Sequence, residues 1–135
     1  MPDTQNIGSI PIMPMITSPD LCIVKLSQGE RIPESLATLL DPADMGSLHE
    51  YVLPAGTEVE LHYHDFDEYW LFREGTPSIT LNLPDGASKT YQLNPGDLVA
   101  TLRGVAHTLH ADHVLRYYQW NGEIRPGTRS GHLLR

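Results

Sequence analysis

An all-β fold of many short strands joined by turns is predicted for this chain of 135 residues. The first observation is the high number of turn-forming residues: 11 glycines and 11 prolines interrupt the sequence more often than a helical bundle tolerates. The second is a series of short runs rich in β-branched, aromatic and apolar residues, which is typical of strands. The third is a globular composition, with 40% hydrophobic and 19% charged residues. A chain of this size forms one domain with its own core.

The elements follow from these runs in chain order. Residues 1–20 are predicted to form an irregular arm, because prolines recur through them. A first strand is predicted at 21–26 and a short helix at 33–40, where Pro33 suits a first helical turn. Further strands are predicted at 48–53, 58–64, 68–74, 78–83, 89–93, 97–102, 106–110 and 114–120. This spacing favours a β-sandwich or barrel over residues 21–120, followed by a tail at 121–135 that packs on its own or a neighbouring subunit.

Charge and composition exclude several functional classes. The formal net charge of -8 opposes binding to nucleic acid or to an anionic membrane surface, since both are polyanions. No run approaches the roughly 20 apolar residues of a membrane span, and the N-terminus lacks the basic start of a signal peptide. The single cysteine, Cys22, allows no intramolecular disulfide. These features predict a cytoplasmic protein.

The chemistry of the chain centres on its histidines, of which there are 7. His62 and His64 stand two residues apart in a predicted strand, so their side chains project from the same face. Glu68 follows at the start of the next predicted strand, where a hairpin can bring its carboxylate beside the two imidazoles. Such a set suits a divalent first-row metal, although exposed strand faces also carry His and Glu without one.

Two glycines turn this set into a longer pattern. The stretch from Gly56 to Gly75 reads G-x5-H-x-H-x3-E-x6-G. A second stretch, from Gly96 to Ala111, follows G-x5-P-x-G-x2-H-x3-N at its two glycines and at His107. It departs from that pattern with Leu102 in place of Pro and Ala111 in place of Asn. With these two motifs the sequence resembles the cupin superfamily over residues 47–120.

The resemblance implies a double-stranded β-helix, that is, a jelly-roll barrel, with a metal inside its mouth. Carried over position by position, the implied ligands are His62, His64, Glu68 and His107. The implied cofactor is one divalent transition metal per chain, of the set Fe, Mn, Ni, Co or Zn. A homodimer is the assembly that the resemblance implies.

Three hypotheses about function follow from such a site. Three neutral imidazoles and one carboxylate leave a divalent ion with a net charge of about +1 and two open positions of an octahedral set. The first hypothesis is a metal-dependent enzyme, of dioxygenase type, acting on a small anionic or carbonyl-bearing metabolite. The second is an isomerase, lyase or decarboxylase that works through a metal-stabilised enolate. The third is a non-enzymatic module that binds or senses a small molecule.

Strand alternation predicts the surroundings of the site. Trp70 and Phe72 share the face of Glu68 and are expected to wall the pocket. In the last predicted strand, the sequence does not decide which alternate residues face inwards. The remaining candidates for substrate contact are Arg73, Arg103, Arg116, Tyr118, Gln119 and Trp120.

The same alternation assigns positions away from the metal. The residues expected on the outer face of the strand that carries His62 are Val59, Leu61 and Tyr63, an apolar stripe to be covered by the N-terminal arm or a second subunit. The residues expected on the surface or behind the ligands are His49, His110, His113 and His132, with Asp65 and Asp67 capping the loop or bonding a ligand imidazole.

Overall fold

The computed structural model describes residues 16–135. It contains nine strands: β1 (Ile23–Val24), β2 (His49–Leu53), β3 (Thr57–His62), β4 (Glu68–Glu74), β5 (Ser78–Asn82), β6 (Ser88–Gln92), β7 (Leu98–Thr101), β8 (Ala106–Ala111) and β9 (Leu115–Asn121). Its helices are short: α1 (Glu34–Ala37) and three 3-10 helices at Pro19–Cys22, Leu26–Gln28 and Pro42–Ser47. No helix within residues 16–135 is long and apolar enough to cross a membrane.

Two antiparallel sheets form the body of the molecule. The first has five strands in the order β1-β7-β4-β9-β2, and the second has four in the order β3-β8-β5-β6. Apart from the hairpin of β5 and β6, strands that are neighbours in one sheet are distant in sequence, as a double-stranded β-helix requires. The inner faces of both sheets contribute to one buried cluster, which includes Phe72, Ile79, Leu81, Val99 and Leu109. The predicted all-β, jelly-roll fold class is confirmed.

Strand alternation is clearest in β8. Leu109 and Ala111 are buried with His107, whereas Thr108 and His110 face outwards and are only partly buried. His110 lies beside two carboxylates, those of Glu58 and Asp112. His107 is therefore fixed on the inner face by the period of two.

The predicted alternation is wrong on β3, because this strand contains a bulge. Val59 pairs with Leu109 and His62 pairs with His107, so an extra residue of β3 lies between the two pairs. Val59 consequently packs against the buried cluster on the same side as His62, and Leu61 alone of the predicted stripe is exposed. Beyond a bulge, the residues that would face outwards face inwards and the reverse, and a sequence pattern of period two cannot predict this change.

The segment before β2 also differs from its prediction. The strand predicted at 21–26 is reduced to Ile23 and Val24, with 3-10 helices on both sides, and the helix predicted at 33–40 forms only at Glu34–Ala37. Leu36 of this helix is buried and belongs to the main cluster. Of the predicted N-terminal arm, residues 1–15 lie outside the described part of the chain.

The C-terminal residues return to the mouth of the barrel, beside the end of β3. Tyr63 and Leu133 form an antiparallel bridge in which each backbone N–H donates to the other's carbonyl at 2.9 Å. Arg129 forms a two-pronged ion pair with Asp65, with Nε–Oδ2 at 2.7 Å and the second guanidinium nitrogen 3.0 Å from Oδ1. The guanidinium of Arg135 lies 4.0 Å from the centre of the Tyr63 ring. The tail packs on its own subunit, and it covers Tyr63.

Candidate metal centre

Four donors converge where the two sheets meet. His62 ends β3, His64 follows it, Glu68 begins β4 and His107 lies in β8; all four are buried. The register places His62 directly opposite His107, and their ring centres are 4.3 Å apart. A carboxylate oxygen of Glu68 lies 3.5 Å from His64 Nε2 and 3.9 Å from His107 Nε2. The structure therefore brings together the residues that the motif singles out.

Backbone carbonyls set the tautomer of each imidazole. His62 Nδ1 lies 2.7 Å from the Glu60 carbonyl oxygen, and His64 Nδ1 lies 2.9 Å from that of Gly131. His107 Nδ1 approaches the Val105 carbonyl at 3.4 Å. A carbonyl only accepts, so each Nδ1 carries the proton and each Nε2 keeps a free lone pair. This is the arrangement in which metal-ligating histidines are usually held.

Burial keeps the imidazoles neutral. It lowers the pKa of His64 to about 4 and that of His107 to about 3, and it also lowers the pKa of His62. Burial raises the pKa of Glu68 to about 7, and a hydrogen bond from Thr101 acts in the opposite direction. Neutral imidazoles beside a carboxylate are the protonation states in which these side chains can bind a metal cation.

A short chain of hydrogen bonds orients the carboxylate. The Thr101 hydroxyl accepts a hydrogen bond from Trp70 Nε1 at 2.9 Å and lies 3.4 Å from Glu68 Oε1. All three side chains are buried. Thr101 and Trp70 thus hold the Glu68 side chain on the side of the imidazoles.

The residues present fit a divalent metal. His107 Nε2 is buried and has no hydrogen-bond partner in the described part of the chain, which is costly for a polar atom unless something else binds it. Ligand atoms of His64, Glu68 and His107 all lie within 4.8 Å of one another. Two ligands that are each about 2.1 Å from one ion lie no more than about 4.2 Å apart, so small rotations would suffice to enclose an ion.

The two motifs are joined through their glycines. The Gly104 N–H donates to the His64 carbonyl at 2.9 Å, so the second motif holds the backbone of a first-motif histidine. Gly104 has a φ of 84°, which is in the region that glycine reaches most readily. Two further bonds of 2.7 Å link the motifs, from the N–H of Gly56 to the Ala111 carbonyl and from that of Gly96 to the Phe72 carbonyl.

A cavity of about 150 Å³ opens beside the donors. Beyond His62, His64 and Glu68, its lining is largely apolar: Leu53, Val59, Trp70 and Tyr117, with Gln119 and His132. No lysine or arginine of residues 16–135 lines it. A cavity of this size matches a molecule of about the size of benzene.

Among the predicted substrate-contact residues, Trp70 and Gln119 line this cavity, and Phe72 is buried behind Trp70, with ring centres 6.1 Å apart. The predicted contact of the arginines with substrate is wrong, because each has a carboxylate partner elsewhere: Arg73 with Glu50, Arg103 with Asp67 and Arg116 with Glu74.

The strand pairing decides which side of β9 faces the cavity. Gln119 pairs with Trp70 and lies on the same side of the sheet, so Tyr118 and Trp120 point to the other side, where Trp120 stacks on Tyr69. Tyr117 was missed because the alternation of β9 alone offers two equivalent choices, and Leu53 was missed because it reaches the cavity from β2, which pairs with β9.

His132, which the sequence groups with histidines on the surface or behind the ligands, is exposed and also reaches the site. Its ring stacks on that of His62, with centres 3.9 Å apart, and lies 5.2 Å from that of His64. His49 and His113 are exposed, and His110 lies on the outer face of β8. Asp65 bonds Arg129 and Asp67 accepts the Arg103 N–H, so neither binds a ligand imidazole. No local pattern signals His132, because its position depends on the return of the tail.

Comparisons with known proteins agree with this architecture. A family model described as the cupin domain matches residues 49–118. An uncharacterized protein of Sinorhizobium fredii is 34% identical over 83 residues, which are 59% of this chain and 35% of that protein. The chain therefore spans about a third of the length of this curated relative.

Solved structures show the same fold. The oxalate decarboxylase of Lactobacillus farciminis, solved as a formate complex, is 27% identical with a TM-score of 0.52, over 55% of this chain and 22% of that one. A conserved protein of unknown function from Streptococcus pyogenes is 19% identical with a TM-score of 0.50, over 58% of this chain and 64% of that one. With both sheets, both motifs and the matching family model in agreement, the chain belongs to the cupin family.

Proposed function

We propose that this chain is a metal-dependent enzyme that acts on a small anionic or carbonyl-bearing metabolite. The observation that supports it is the convergence of His62, His64, Glu68 and His107, of which the first three line a cavity of about 150 Å³. A divalent ion bound there would supply Lewis-acid or oxygen-activating chemistry. The ion is Fe, Mn, Ni, Co or Zn, one per chain, acting in a homodimer in the cytoplasm.

The cavity lining favours a particular kind of substrate. No cationic side chain of the described residues lines it, so a carboxylate or carbonyl of the substrate would find its positive partner in the ion. Leu53, Val59, Trp70 and Tyr117 would surround the apolar remainder, and the Gln119 amide offers one donor and one acceptor. A short keto acid or a small ring fits these limits.

Oxygenation is the reaction class that we place first. Isomerisation and elimination need a protein group that gives or takes a proton beside the substrate. Apart from three of the proposed ligands, His62, His64 and Glu68, the cavity lining within residues 16–135 has two ionisable side chains, Tyr117 and His132, and the His132 ring is stacked on that of His62. Burial, together with the Glu68 carboxylate, raises the pKa of Tyr117 to about 12, so it is a poor base. Oxygenation makes no such demand on the protein.

Decarboxylation is the second candidate. It is favoured by the 27% identity to an oxalate decarboxylase that was solved with formate, over 55% of this chain. A divalent ion bound beside the small cavity would attract the substrate carboxylate that leaves as carbon dioxide. A non-enzymatic ligand-binding module is the third.

Metal content tests the centre of the proposal. Purified without chelator, the wild-type chain should hold about one divalent ion by elemental analysis. His107→Ala should lose most of its metal affinity, because it removes a buried donor, whereas His110→Ala should keep it, because His110 faces outwards. Equal behaviour of the two variants, or a wild-type chain without affinity for Fe, Mn, Co, Ni or Zn, would reject the proposed site.

Oxygen and carbon dioxide measurements separate the reaction classes. Oxygen uptake by the metal-loaded chain on a panel of keto acids, catechols and sugars is expected for the first candidate. Carbon dioxide release from small dicarboxylates without oxygen uptake would transfer the proposal to the second. Saturable ligand binding without any turnover would indicate the third.

A separate measurement tests the proposed homodimer. β2 has one strand neighbour within the described residues and exposes Tyr51 and Val52, which are 42% and 50% exposed. An apolar face of this kind suits an interface between two copies. Sedimentation equilibrium should give twice the chain mass, and a single-chain mass would refute the dimer.

A further inference from the structure

The tail fixes the position of His132 from both sides. On one side, the ion pair between Arg129 and Asp65 joins the tail to the loop that follows His64. On the other, the backbone bridge between Leu133 and Tyr63 joins it to the residue between the two motif histidines. His132 lies between these two attachments, and it is three residues from the first and one from the second.

His132 lies against donors of the proposed metal centre. Ligand atoms of His62, His64 and His132 all lie within 4.8 Å of one another, as do those of His64, Glu68 and His107. His64 belongs to both groups, so the two groups form one continuous cluster. The Gly131 carbonyl, next to His132, accepts the Nδ1–H of His64 and so helps to orient that imidazole.

We propose that His132 is a further ligand of the metal, a fourth imidazole that the tail supplies to the resting site. This inference rests on the proposed metal centre and extends it. It reduces the positions open to solvent on a six-coordinate ion from two to one. Because His132 is exposed and held by a tail, it is the ligand that a chelating substrate can displace.

Two substitutions separate ligation from packing. His132→Ala removes the imidazole and leaves a space at the mouth, whereas His132→Phe keeps an aromatic ring to stack on His62 but has no nitrogen. Both substitutions should lower the affinity for Co²⁺, measured by competition with a chelator, by at least about tenfold. Loss of a residue that only supports a ligand already costs about 10- to 100-fold in metal affinity, so loss of a ligand should cost no less. Both should also change the visible absorption of bound Co²⁺. His110→Ala is the matched control, and neither property should change in it.

Free imidazole provides a third measurement. Added to Co²⁺-loaded His132→Ala, it should restore the wild-type absorption, because it can occupy the vacated position. Added to the His132→Phe variant, it should restore nothing, since the ring fills the space.

The outcomes distinguish the two proposals. If the wild-type chain binds Co²⁺ and His132→Phe retains both its affinity and its absorption, then His132 is a packing residue and this inference is overturned, while the metal centre stands. If the wild-type chain binds no divalent metal, both proposals fail.

Discussion

At the scale of single residues, the donors are held by groups that are not donors themselves. Three backbone carbonyls fix the imidazole tautomers, and the hydroxyl of Thr101 contacts Glu68 while it accepts a hydrogen bond from Trp70. Carbonyl partners do not depend on side-chain identity, so this orientation survives sequence change around the ligands. Thr101 is the exception, and it can be tested.

Thr101→Val should weaken metal binding about 10- to 100-fold, because it removes a partner of a proposed ligand without changing the size of the side chain. It also leaves the buried Trp70 Nε1 without its acceptor, which should lower the free energy of unfolding by about 1–3 kcal/mol. Chelator competition and urea unfolding measure the two effects. Thr80→Val, in an exposed pair with Thr90, should alter neither by a comparable amount; equal losses in both variants would contradict the assigned role.

At the scale of elements, the bulge in β3 determines which side chains meet the site. It brings Val59 and His62 to the same side although they are three residues apart. Without it, His62 would face the same way as Glu58 and Glu60, which are exposed. The bulge therefore produces the site as much as the ligands do.

The turn between β4 and β5 depends on Gly75. Its φ is +97°, and a Cβ atom there would lie 2.7 Å from the Val114 carbonyl oxygen. Gly75→Ala should lower the free energy of unfolding in urea by about 1–2 kcal/mol for the backbone conformation and about 1–3 kcal/mol more for the contact. Gly29→Ala is the matched control, because Gly29 has a φ of +86° with nothing within 4 Å of such a Cβ. Similar losses at both glycines would show that the close approach is not limiting.

At the scale of the whole molecule, a buried carboxylate joins the N-terminal segment to the sheets. Asp97 is fully buried and accepts hydrogen bonds from the backbone N–H groups of Ser27 and Asn94 and from the Ser27 hydroxyl. Lys25 lies 3.6 Å away. Burial by itself would raise the pKa of Asp97, but these hydrogen bonds and the nearby ammonium hold it below its ordinary value.

Asp97→Asn should therefore destabilise the fold in a pH-dependent way. A carboxyl group with a depressed pKa in the folded state contributes stability above its unfolded pKa of about 3.9, and that contribution is lost as the pH falls through the folded value. The difference in unfolding free energy between wild type and variant should be about 1–3 kcal/mol at pH 7 and should shrink below about pH 4. Asp85→Asn, in an exposed turn, should show little difference at either pH. A gap that stays constant with pH would contradict the ionised state of Asp97.

Much of this molecule could be predicted from local patterns. The strands from β2 to β9 lie within a residue or two of their predicted bounds, because alternation and turn residues are local signals. The β3 bulge, the side of β9 that faces inwards and the return of His132 depend on contacts between distant segments. The sequence offers Arg73, Arg103 and Arg116 as candidates for substrate contact, but each has a carboxylate partner that lies far from it in sequence or on a neighbouring strand.

The position of Arg135 bears on how this chain should be purified. Arg135 lies over Tyr63, and two residues separate it from His132 at the mouth of the cavity. A polyhistidine tag joined after Arg135 would begin beside the proposed centre, where its imidazoles would compete with the chain's own. Metal stoichiometry, Co²⁺ absorption and chelator competition should therefore be measured on chain that carries no such tag.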